Sequence, residues 1–220
     1  TQPEHFQHYI LFTNYQFYVE EFSHYAREQI NDPNSGYNEL VLPGNIRVEA
    51  GLTAEDIKKT TAGVKQPQMP AYHLKRPDGS GITLVNIGVG PSNAKTITDH
   101  ISVLRPTAWI MVGHCAGLRS SQRLGDYVLA HAYMREDHVL DDDLPLFVPI
   151  PALAEIQVAL EQAVEEISGL KDYELKRIMR TGTVASIDNR NWELRYQEGP
   201  VQRLSQSRAI ALDMESATIA

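Results

Sequence analysis

Apolar residues recur at two spacings along this chain, and the two spacings alternate. Tyr9-Ile10-Leu11-Phe12-Thr13 is a short apolar run that suits a buried strand. Asn14 can cap a following helix whose apolar side is Val19, Phe22, Ala26 and Ile30, and Asn31-Asp32-Pro33-Asn34-Ser35-Gly36 stops it. Ile46-Arg47-Val48-Glu49-Ala50 reads as a strand. Tyr72-His73-Leu74 and Ile82 to Ile87 flank Pro77-Asp78-Gly79, a hairpin signal. After Gly88-Val89-Gly90 comes a helix with Pro91 in its first turn, Ala94, Ile97, Ile101 and Leu104 on one face, and Pro106 closing it. Ala108-Trp109-Ile110-Met111-Val112 is a continuous apolar run, expected of a strand covered on both faces. Tyr127 to Ala130 and Ile178 to Val184 read as further strands, with a helix marked by Leu153, Ile156, Leu160, Ala163 and Ile167 between them. Ala209 to Leu212 is a short buried strand turning into a helix. Strands and helices alternate throughout, so the class is α/β with a largely parallel, helix-covered sheet.

Composition narrows the picture. Of the 220 residues, 42% are hydrophobic and 22% charged, and no repeat or linker interrupts them, so residues 1–220 read as a single domain. Twenty Lys and Arg against 28 Asp and Glu leave a formal charge of −8, which argues against a general nucleic-acid or anionic-membrane binder. The lone Cys115 excludes an intrachain disulfide and a Cys-rich zinc site, and fits a reducing, cytoplasmic setting. No apolar run approaches the roughly 20 residues that span a bilayer. The last helix carries no stop signal, so the chain reads as a fragment of a longer one.

In such a sheet, ligands bind where strands end and loops begin. Four loops qualify: Gly88 to Ser92, Gly113 to Gly117, Ser186 to Trp192, and Asp213-Met214-Glu215. The first ends in Lys95-Thr96 and opens a helix, which invites a phosphate reading. The P-loop spacing fails, because Ala94 and Val89 stand where glycines are needed. In Gly113-His114-Cys115-Ala116-Gly117, a Cys-His nucleophilic pair is disfavoured because adjacent residues at a strand end point apart. His5 and His8 sit three apart without a supporting carboxylate set, so no metal is expected. Asp141-Asp142-Asp143 reads as a solvated loop. Glu215 stands at the junction of a buried strand and an apolar helix start, where burial without a partner is costly. It is either a cap on its own helix or a bidentate acceptor for two adjacent sugar hydroxyls.

Taken together, the glycine turn Gly88 to Ser92, the loop Val112 to Gly117, and Met214-Glu215 resemble the purine and uridine nucleoside phosphorylase and nucleosidase superfamily. Within it, the longer blocks Arg180 to Glu193 and Asp213 to Ala220 are similar to the AMP nucleosidases. The resemblance implies a three-layer α/β/α domain with a mixed, largely parallel central sheet, assembled as a homohexamer. It implies cleavage of AMP by water into adenine and ribose 5-phosphate, with no cofactor for the chemistry and ATP, with Mg, as an allosteric activator. The phosphorylase relatives hold phosphate with arginines; the corresponding positions here are Met111 and Tyr18, which favours water as nucleophile. A phosphorylase, or a non-catalytic nucleotide-binding module, is the alternative.

The resemblance also assigns roles. Glu215 takes the ribose hydroxyls, Met214 packs on the sugar, and His114 or Asn14 positions the water. Gly90 and Ser186 border the substrate, and Arg190 or Trp192 offers a plane for the purine. His5, His8, Lys95 and Arg190 are the candidates for the 5′-phosphate. The general acid of the family, an Asp on the next strand, is expected beyond Ala220, so the resemblance implies that residues 1–220 are a catalytic domain truncated before its last strand and C-terminal helix.

Overall fold

The computed structural model describes residues 1–194 and 198–220. In chain order the elements are β1 (Tyr9–Thr13), α1 (Gln16–Asn31), β2 (Glu39–Leu42), β3 (Ile46–Val48), α2 (Ala54–Thr61), β4 (Ala71–Lys75), β5 (Ile82–Asn86), α3 (Pro91–Ser102) and β6 (Ala108–Met111). They continue with β7 (Ala116–Gly117), β8 (Tyr127–Glu136), β9 (Ile150–Pro151), α4 (Ala154–Ser168), α5 (Asp172–Ile178), β10 (Met179–Ile187), α6 (Glu198–Gln206), β11 (Ala211–Asp213) and α7 (Ser216–Ile219). Two short 3₁₀ turns accompany them. The chain divides into two compact units, one of residues 1–89 and 96–113, the other of residues 90–95 and 114–220. The class is α/β, as the alternating periodicity implies.

The first unit holds a sheet in the order β3-β2-β4-β5-β1-β6. Its strands β5, β1 and β6 run parallel, while β4 pairs antiparallel with β5 through the hairpin at Pro77-Asp78-Gly79. Helix α1 forms where its apolar spacing predicts, and Val19, Phe22, Ala26 and Ile30 are all buried against Leu40, Leu42, Leu74 and Leu84. Each large side chain so buried contributes about 1.5–3 kcal/mol of transfer free energy. The start of α1 differs from expectation. Its N-cap is Tyr15, with no side-chain cap, and Asn14 takes a bend after β1. The apolar run Ala108 to Met111 is only half-buried, because β6 takes the end of the strand order rather than its middle. Leu104 lies past the end of α3 and is exposed.

The second unit holds a sheet in the order β7-β11-β10-β8-β9. Here β10 is central and runs parallel to both β8 and β11, with antiparallel strands at the two edges. Helix α4 packs through Leu160 and Val164 on the cluster of Leu129, Leu175 and Met179. The ends of its apolar stripe, Leu153 and Ile167, are exposed, because the stripe is longer than the surface it covers, and Ala163 between them is exposed as well. No helix among the described residues is long and apolar enough to cross a membrane.

One close approach fixes the middle of this second sheet. A Cβ on Gly182 would lie 2.7–2.9 Å from three side-chain atoms of Ile210, next to a register irregularity in the β8–β10 ladder. Gly182→Ala is expected to cost about 1–3 kcal/mol, because Ile210 must leave its place. Urea unfolding of Gly182→Ala checks this, and a parent-like midpoint would refute it.

Candidate active site

In the second unit, β10 and β11 end side by side with Ser186 opposite Asp213. Ser186 is fully buried. Its hydroxyl donates to Asp213 Oδ1 at 2.5 Å, accepts from the Ala217 amide at 3.0 Å, and lies 3.1 Å from Ser216 Oγ. Asp213 Oδ2 accepts the Ser216 amide at 2.9 Å. Together these two side chains satisfy the first amides of α7, the groups a helix leaves without internal partners. Burial pushes the Asp213 carboxyl above the ordinary carboxylate range, and the bonds from Ser186 and Ser216 oppose that shift.

With α7 capped from Asp213, Glu215 is released for other work. It is the N-cap residue by position, yet its side chain makes no cap bond. Instead its carboxylate, 2% exposed, accepts the Gly90 amide at 2.6 Å. A bond this short to a charged acceptor belongs to the stronger class of hydrogen bonds. Gly90 turns its amide inward with φ near +111°, a backbone state that L side chains rarely adopt. Of the two sequence readings of Glu215, self-capping is therefore replaced by a link across to the glycine turn.

Around this pair, Met214 and Trp192 are half-buried against one cluster formed by Ala185, Ile187, Leu204, Ala209 and Leu212. Beside Trp192 opens a cavity of about 430 Å³, lined by Ile187, Asp188, Asn189, Arg135 and Arg203 among others. Arg203 grips Glu136 with two bonds of 2.7 Å. The Arg135 side chain is 3% exposed and is anchored by Asp141 and by the Leu144 carbonyl. Arg190 is exposed. Lys95 forms an ion pair with Asp143 at 3.3 Å, so part of the expected solvated Asp run is neutralised by a phosphate candidate. His114 and Cys115 are exposed at the start of this unit. Among the described residues, no group of three or more His, Cys, Asp or Glu is arranged to hold a metal.

The first unit holds Asn14, His5 and His8. Asn14 directly follows β1, and its Oδ1 lies 3.3 Å from where a Gly113 Cβ would be. His5 is 3% exposed; its Nδ1 accepts the Gln2 amide at 3.3 Å and its ring lies 5.7 Å from that of His73. Burial, with Lys75 next, lowers its pKa, which works against a charged imidazole there. His8 is exposed, with its ring against Gly79.

Sequence reasoning passed over Asp213 as a working group and missed Ser216 and Arg135. A signal for the first was present, since Asp213 stands three residues before Ser216, the spacing at which a side chain accepts a helix's early amide. Nothing local marks Arg135, whose environment is made by the loop 137–144.

The model of the phosphorylase superfamily matches residues 42–220. Two curated relatives, the AMP nucleosidases of Escherichia coli strain K12 and of Escherichia coli O157:H7, are each 56% identical over 220 residues, all of this chain. The chain spans 45% of the length of these relatives. Among solved structures, AMP nucleosidase from Bacteroides thetaiotaomicron VPI-5482 matches with a TM-score of 0.71 at 29% identity, covering 100% of this chain and 75% of that one. Uridine phosphorylase from Vibrio fischeri ES114 matches with a TM-score of 0.66 at 14% identity, covering 100% and 74%, a likeness of fold alone. A match over residues 42–220 takes in the glycine turn, both parallel strand ends and Met214-Glu215, and the chain accordingly belongs to the phosphorylase superfamily.

Proposed function

We propose that this protein hydrolyses the N-glycosidic bond of AMP, giving adenine and ribose 5-phosphate. The observation that carries the reading is Glu215, a buried carboxylate at the parallel strand ends, held by the Gly90 amide. The choice of AMP rests on the 56% identity to AMP nucleosidases along the whole chain.

Cleaving this bond builds positive charge on the ribose and negative charge on the departing purine. In the proposed mechanism Glu215 accepts the 2′ and 3′ hydroxyls and lays negative charge against the developing cation. A carboxylate already fixed by Gly90 does not have to reorganise in the transition state. Asp213, Ser186 and Ser216 hold the turn that carries it. Met214 packs on the sugar face, Trp192 or Arg190 borders the purine, and His114 orients the water. Lys95 and Arg190 are the cations proposed for the 5′-phosphate, with Asp143 giving up Lys95 on binding. We further propose a cytoplasmic homohexamer; Phe147 and Ile167, 87% and 83% exposed, offer apolar surface for self-association.

Adenine release measured by chromatography tests the proposal. AMP is expected to yield adenine in phosphate-free buffer, and adenosine to yield little. Strict dependence on added phosphate would move the assignment to a phosphorylase, and tight AMP binding without turnover would move it to a binding module.

A further inference from the structure

We propose that the second unit carries another anion site, at the N-terminal end of β10, suited to a phosphate-bearing small molecule. A cavity of about 350 Å³ opens there, within the size range of small-molecule sites. Arg119, Lys176 and Arg180 all line it, with Ser121, Gln122 and Ile210. Three cations converge in a chain whose formal charge is −8. Among the described residues only Lys176 has a carboxylate in reach, Glu161 at 2.6 Å. Arg180 reaches the Ser121 carbonyl only at 3.4 Å, and its Nε is buried with no partner.

The site is constructed rather than incidental. The loop that brings Arg119 is tied down by Leu118 N to Ile210 O at 2.9 Å, Arg119 N to Gln122 Oε1 at 2.8 Å, and Gln122 N to Arg119 O at 3.0 Å. Two guanidinium forks match the geometry of phosphate oxygens, and the Ser121 hydroxyl and the Gln122 amide can donate to those that remain. Ile210 supplies an apolar wall. From Arg180 to Ser186 the strand rises roughly 20 Å, so a ligand here does not touch Glu215.

Calorimetric titration of the full-length protein at constant ionic strength tests the site, with inorganic pyrophosphate and ADP as probes and sodium chloride as control. Pyrophosphate is expected to bind at one site per chain, and ADP there in addition to the proposed AMP site, with Arg119→Gln and Lys176→Gln each weakening binding at this site about tenfold. Arg180→Gln should abolish it, and its circular dichroism and melting curve show whether that variant still folds. If it does not, the two surface variants decide. Glu215→Gln should leave pyrophosphate binding within about twofold of the parent. Preference for ADP over pyrophosphate assigns the source to nucleotides, and equal affinity assigns it to free phosphates; both support the site. Absence of binding by either probe, binding unmoved by the charge variants, or binding lost in Glu215→Gln would each overturn it.

Discussion

Glu215→Ala is expected to lower kcat/KM for AMP by roughly a thousandfold, about 4 kcal/mol of transition-state stabilisation. The size follows from where the side chain sits. It is 2% exposed and already bonded to Gly90, so its charge acts in a medium much less screening than water. Glu215→Gln separates charge from shape. The amide oxygen can still accept from Gly90, so this variant should fold like the parent yet remain at least about a hundredfold slower. Steady-state adenine release gives the rates, and thermal melts show that the fold persists. A Glu215→Ala enzyme within about fivefold of the parent would remove Glu215 from the chemistry.

Acid stability of the first unit should be dominated by His73. This residue is fully buried on β4, and its Nδ1 lies 3.0 Å from the Thr83 hydroxyl. Its Nε2 is buried without a partner. Burial first, then His5 once acid protonates it, the N-terminus and Lys75 push its pKa down from 6.5 to about 3. A depressed histidine pKa means the unfolded chain binds the proton more readily. Stability is therefore full above about pH 6.5 and falls as the pH drops toward 3, at up to about 1.4 kcal/mol per pH unit. Between pH 7 and pH 5 the loss from His73 alone should be about 2 kcal/mol. Urea unfolding of the parent and of His73→Leu at several pH values isolates it, since other titrating groups are common to both. Parallel pH profiles for the two proteins would rule out the assignment.

Much of the local structure was legible because burial imposes a period. Val19, Phe22, Ala26 and Ile30 could serve only a helix with one covered side, and they do. The Pro77-Asp78-Gly79 hairpin was equally plain, since turn chemistry acts within a few residues. The cap expected at Asn14 falls one residue later, because Asn14 takes a bend after β1 and the chain enters α1 from Tyr15. The exposed ends of α4 were misjudged because a stripe records which side can be buried, not how much surface is there to bury it.

The candidate site divides along the same line. The sequence by itself determined that strand ends carry glycines, a serine and acidic residues, and that Met214-Glu215 stands at one of them. It left open what Glu215 does, because a carboxylate at a helix start serves a cap and a ligand equally well. Only the tertiary structure shows that Glu215 is not the cap of its own helix, by placing Gly90, 125 residues away, against it and by giving the cap to Asp213, three residues before Ser216. The cluster of Arg119, Lys176 and Arg180 was likewise invisible along the chain, where the three are up to 61 residues apart. Periodicity is a property of neighbours in sequence, whereas charge and hydrogen bonding act between neighbours in space, and only folding makes those two sets meet.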